Sequence, residues 1–91
     1  MRKNKRSALL LDNALGNLYR AAFFLARKEK GKQLAREMLR QALAAFQRAN
    51  VRVDPKLIRF EKQIVRVKNK KERLVLAELI LDEYKRMVRS S

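Results

Sequence analysis

The 91-residue chain contains no cysteine, no histidine and no tryptophan. Without cysteine and histidine, disulfide scaffolds, zinc fingers and knuckles, thiol catalysis and every Ser-His or Cys-His arrangement are excluded. Two glycines and one proline leave no Gly-rich loop to cradle phosphates. Acidic residues are scarce as well, nine against 24 Lys and Arg. Glu78 and Asp82, four residues apart, are the one carboxylate pair that hints at metal chemistry. Two carboxylates without a histidine make a weak magnesium site at best, and a solvated helix face explains them better. No catalytic residue, metal or cofactor is therefore expected, and the chain reads as non-enzymatic.

Long apolar runs are missing too. The longest uncharged stretches, Asn13–Tyr19 and Gln41–Gln47, are seven residues each, against the roughly 20 apolar residues of a spanning helix. Arg2, Lys3, Lys5 and Arg6 followed by Ser7-Ala-Leu-Leu-Leu superficially resemble a targeting leader. Asp12 breaks that apolar stretch and no clean small-residue cleavage site follows. The segment 1–6 reads instead as a basic arm leading into a single helical domain over 7–91. Absence of cysteine fits a cytoplasmic setting.

What is present is apolar residues at helical spacing and a large excess of positive charge. Hydrophobic residues make up 47% of the chain and the net charge is +15, a combination that allows a core and is unlike a disordered basic tail. Ala8, Leu11, Leu15, Leu18, Ala22 and Leu25 recur at steps of three and four, with Leu10, Ala14, Ala21 and Phe24 widening the stripe. Ser7 is the expected N-cap of this first helix. Gly16 inside it points to a close helix crossing, and Gly31 is the expected breaker at the end of Arg27–Lys32. A second helix is expected from about Lys32 to Ala49. Its apolar rows are Leu34, Met38, Ala42, Ala45 and Ala35, Leu39, Leu43, Phe46. Asp54 and Pro55 read as the cap and first position of a third helix carrying Leu57, Phe60, Ile64 and Val67. After Lys68-Asn-Lys-Lys71 a fourth carries Leu76, Ile80, Tyr84 and Met87, flanked by Val75, Leu79 and Val88. Helices three and four read equally as two helices or one kinked one. The expected fold is all-α, an up-down-up-down four-helix bundle.

The charge is unevenly spread. Residues 1–6 carry +4, residues 50–71 carry +6, and residues 72–91 sum to zero. In the last segment Glu78, Asp82 and Glu83 precede Lys85, Arg86 and Arg89, an order suited to intrahelical pairing and to the helix dipole. Lys32, Arg36 and Arg40 share one edge of helix two. Arg59, Lys62, Arg66 and Lys70 follow at steps of three, four and four along helix three, a linear cationic ridge opposite its apolar row. With the arm residues Arg2, Lys3, Lys5 and Arg6, these form the candidate nucleic-acid-binding set, because a linear array of unbalanced cations matches a phosphate backbone. A solvated face that merely keeps a small bundle dispersed is the plainer alternative, but +15 on so short a chain opposes folding by self-repulsion. Tyr19, Phe23, Phe24, Phe46, Phe60 and Tyr84 fall mostly on apolar rows, where core packing is the default. No aromatic row interleaves with the ridge, and no recognition-helix pattern is present. Binding by charge and shape, with weak sequence preference, is the expectation.

Leu18-Tyr19, Ala26-Arg27-Lys28, Gly31 and Ala35-Arg36-Glu37-Met38 resemble the accessory variability determinant of diversity-generating retroelements. So do Arg66, Lys70 and Ala77-Glu-Leu-Ile80 leading to Lys85-Arg86-Met87. The likeness spans roughly residues 18–88. It implies a basic four-helix bundle that assembles as a homopentamer and serves a reverse transcriptase and its template RNA. The chain differs from that family in a compressed link between helices two and three, and in lacking a Gly-Trp ending to helix four. Size, charge and helicity also resemble the helical small subunit of a CRISPR effector complex. A third reading is a structural protein that docks on an acidic protein or a membrane surface through helix one and the arm. Leu9, Leu10, Leu11, Phe23 and Phe24 exceed what one thin core needs, which favours a homo-oligomer.

Overall fold

A computed structural model of the chain describes residues 5–27 and 31–90. Among these, four α-helices and no strand are present: α1 (Lys5–Arg27), α2 (Lys32–Arg48), α3 (Pro55–Arg66) and α4 (Lys70–Ser90). The protein is an all-α four-helix bundle, an elongated body of 46 × 20 × 20 Å. α1 packs most extensively on α2 and then on α4, while α3 closes the bundle along shorter seams with α2 and α4.

The ends of the helices follow from local chemistry. Asp54 sits in extended backbone and its Oδ1 accepts the Lys56 N–H at 2.9 Å, while Pro55 opens α3 where a missing N–H costs nothing. α2 stops at Ala49, and Asn50 takes a left-handed φ of 56°, which asparagine tolerates better than most residues. Val67 is extended (ψ 133°), so α3 and α4 are two helices and not one kinked helix. α4 restarts with a cap of its own: Asn69 Oδ1 accepts the Glu72 N–H at 2.8 Å.

Three expectations about α1 and its end are corrected. The helix opens at Lys5, so Ser7 lies inside it and is not its cap, and Lys5 and Arg6 of the basic arm are helical. Gly16 marks no helix crossing among the described residues: of these, a Cβ there would meet the Arg20 side chain, 3.5 Å from Nη1. Gly31 is the N-cap residue of α2 at φ −78°, with no side-chain cap bond and no left-handed conformation. Residues 28–30 of the expected breaker run lie outside the described residues.

The core is one cluster drawn from all four helices. Leu18 and Leu25 of α1, Leu39 and Phe46 of α2, Leu57 and Ile64 of α3 and Ile80 of α4 are its largest fully enclosed side chains. Alanines 14, 21, 22, 35, 42, 45 and 77 fill the space between them and let the helices approach closely. A thin bundle buries one stripe per helix, so the flanking rows stay outside. Leu34, Val75, Leu79 and Val88 are exposed, and so is Ala8. Tyr19 and Phe23 are also exposed and depart from the core reading, whereas Phe46 and Phe60 are buried and Phe24 and Tyr84 half-buried.

Candidate nucleic-acid interface

The candidate cations divide by what lies next to them. On α3, Leu57, Phe60 and Ile64 are buried, and Arg59, Lys62 and Arg66 occupy the opposite, exposed face. None of these three makes an ion pair or side-chain hydrogen bond among the described residues. At spacings of three and four the three cations are neighbours on one helix surface. Lys70 does not extend this row along α3, because α3 ends at Arg66. It is the exposed first residue of α4, beyond the extended Val67.

On α2 the edge is partly committed to the fold. The Lys32 ammonium donates to the Val67 carbonyl at 2.6 Å and lies 3.5 Å from that of Val65, so it closes the C-terminal end of α3. One turn on, Arg36 Nε donates to Glu61 Oε1 at 2.8 Å. These two contacts, to residues 67 and 61 in turn, set α2 and α3 antiparallel. Lys32 and Arg36 therefore tie α2 to the ridge helix, and Arg36 remains exposed while it does so. Arg40 is exposed and unpaired among the described residues. Arg2 and Lys3 lie outside the described residues, and of Lys5 and Arg6 it is established that they begin α1.

The helix dipoles are complemented at their C-terminal ends, by Arg27, Arg48, Arg66 and Arg89 in the last turns, and less so at their N-terminal ends. α1, α2 and α3 have no acid in the first turn, and Lys70 and Lys71 stand at the start of α4 beside the single acid Glu72. Cations at a helix N-terminus oppose the partial positive charge there.

Two charged residues lie buried within the bundle, which their sequence reading did not foresee, although Glu83 forms the intrahelical pair with Arg86 that its order suggested. Arg73 is 7% exposed, and its Nη1 donates to the Leu25 carbonyl at 3.0 Å in the last turn of α1. Its Nε has no partner among the described residues. Glu83, also 7% exposed, accepts from Arg86, which reaches Asp54 Oδ2 at 3.0 Å as well. The Arg86 bridge joins the start of α3 to the last turns of α4. The Lys56 N–H first, and then the Arg86 guanidinium, hold the Asp54 carboxyl below its ordinary range, and the two carboxylates push Arg86 up. The signal for the missed pair was present: Arg73 extends the row Leu76, Ile80, Tyr84, Met87 back by three, and Glu83 is Ile80 plus three.

Among the apolar hollows at the surface, two lie beside α4. Between α1 and α4 one of about 460 Å³ is lined by Tyr19, Phe23, Ala26, Leu74, Glu78 and Leu81 among others. Tyr19 stacks obliquely on Tyr84 at 5.4 Å between ring centres, and the Arg27 guanidinium sits 5.0 Å from the Phe23 ring centre. Between α3 and α4 a second hollow of about 420 Å³ has Val75 and Leu79 in it and Arg66 and Lys71 at its edge.

No protein-family model matches the chain, and no match was found among curated proteins or solved structures. No described helix is long and apolar enough to cross a membrane.

Proposed function

We propose that this protein is a non-enzymatic, nucleic-acid-binding accessory subunit that grips RNA by charge and shape. The observation that carries the reading is the α3 face: Arg59, Lys62 and Arg66 are exposed, unpaired among the described residues and opposite a buried row. Arg40 on α2 and Lys70 at the head of α4 extend the cationic surface beyond α3. Lys32 and Arg36 hold α3 in place, so the ridge is presented on a fixed support. A phosphate backbone is the ligand chemistry that a row of unbalanced cations fits, and displacement of its counterions drives the binding. The choice of RNA, a reverse transcriptase as the companion and a pentameric assembly rest on the resemblance to the accessory variability determinant. Exposed Leu9, Tyr19 and Phe23 on α1 support self-association in general. A cytoplasmic location completes the reading.

The test is a salt titration of binding to a structured RNA. Each phosphate contact contributes about 0.7–0.9 to the slope of log affinity against log salt. Arg59→Gln with Arg66→Gln is expected to reduce that slope by about 1.4–1.8 and to weaken binding at low salt. An unchanged slope and affinity in a folded double variant refutes the ridge. Light scattering on nucleic-acid-free protein gives the number of chains.

A further inference from the structure

We infer that the hollow between α3 and α4 is a docking groove for an acidic amphipathic helix of a partner protein. Its floor is apolar: Val75 is 53% exposed and Leu79 44%, one turn apart on α4, with Val67 and Leu76 behind them. Its edge is cationic, with Arg66 from the end of α3 and Lys71 from the start of α4. The acid in its lining, Glu72, is spent on the local cap. Its N–H is bound by Asn69 Oδ1, and its Oε1 accepts from Asn69 Nδ2 at 3.2 Å.

An apolar floor between cations selects among occupants. A phosphate backbone has no use for Val75 and Leu79, and a groove without an aromatic ring gives bases nothing to stack on. A second copy joined groove to groove would set its own Arg66 and Lys71 against this cationic edge, which like-charge repulsion opposes at this contact. A helix with apolar residues at i, i+3 or i+4 and Asp or Glu beside them satisfies floor and edge together. The inference is independent of RNA binding, although Arg66 belongs to both surfaces.

The experiment uses the full chain and fluorescently labelled helical peptides of about 20 residues. One has a leucine stripe flanked by glutamates, a second the same leucines flanked by lysines, and a third the glutamates with glutamine in place of leucine. The first is expected to bind and the other two are not. Val75→Gln with Leu79→Gln is expected to weaken the first by about tenfold or more, given the apolar area involved. Both side chains face solvent, and circular dichroism checks that the variant folds. The same variant keeps its RNA affinity and salt slope, so a failure here is distinguishable from a failure of the ridge. Equal binding of the glutamine peptide, or undiminished binding by the V75Q/L79Q variant, overturns the proposal. So does loss of leucine–glutamate peptide binding on Phe23→Gln, which moves the site to the α1–α4 hollow. A fall in the mass of the free protein on V75Q/L79Q also overturns it, in favour of a contact between copies.

Discussion

Replacing Gly16 by alanine is expected to stabilise the protein, and the structure sets the size of the gain. Gly16 lies in the interior of α1 with ordinary helical backbone around it. Alanine is better than glycine there by up to about 1 kcal/mol, because glycine loses more backbone freedom on folding. The new methyl group meets no other helix. Its neighbours are Arg20 Nη1 at 3.5 Å and Arg20 Cζ at 3.9 Å, ordinary contact distances. The Arg20 side chain is already turned over this spot by its bond to Asn17 Oδ1 at 3.1 Å, so it need not move. The net gain is about 0.5–1 kcal/mol. For a domain of this size that raises Tm by about 2–8 °C.

The assay is thermal unfolding followed by circular dichroism at several protein concentrations, with light scattering on the same samples. A Tm that falls refutes the reasoning, because among the described residues nothing resists the methyl group. A fall accompanied by a smaller mass would place Gly16 against a second copy, where its missing side chain is what the contact requires.

Phe46→Ala empties the side of the core that α2 supplies. Phe46 is 1% exposed, and such truncations cost about 3–5 kcal/mol from a total near 5–14 kcal/mol for this length. Urea unfolding is expected to show a much lower midpoint at similar slope, and a loss under about 1 kcal/mol would contradict the packing described. Asp54 makes part of the stability depend on acidity. Its folded carboxyl is held below the ordinary value, so its contribution is complete above about pH 4 and is lost as the pH falls through the depressed value. Asp54→Asn keeps a capping acceptor and removes the titration. The variant is expected to lose less Tm than the parent between about pH 5 and pH 2, and parallel profiles would remove Asp54 from the acid response.

Much of the fold was legible because its punctuation is local. Asp54-Pro55 carries its own cap, and the rows Leu57, Phe60, Ile64 and Ala35, Leu39, Phe46 repeat at the helical period and are buried as that period demands. Periodicity does not say how many rows a helix must bury. In a body 20 Å across, α4 has neighbours for one stripe, so Val75 and Leu79 stay outside although they share the helix's apolar spacing. The ridge was legible for the same local reason, since Arg59, Lys62 and Arg66 need only α3 to align. The roles of Lys32 and Arg36 were not, because their partners, Val67 and Glu61, are 35 and 25 residues away in sequence. Lys70 was misassigned to α3 because its step of four fits a continuous helix, and the extended Val67 that breaks the row leaves no mark in the spacing.

The unbalanced face of α3 gives the protein two opposite responses to ionic strength. Successive cations stand about one turn apart, with Cβ atoms about 5–6 Å from one another, closer than the roughly 8 Å over which physiological salt screens a charge. Added salt therefore quiets their mutual repulsion and favours the folded bundle, while it erodes the attraction of the same face for a polyanion. A bound polyanion does the work of the salt at the one place where it matters, because its charges are held against the ridge. Under the proposed function, the conditions that leave the free protein least stable are those in which a nucleic-acid partner would be held most firmly, and binding would stabilise the helix that binds it.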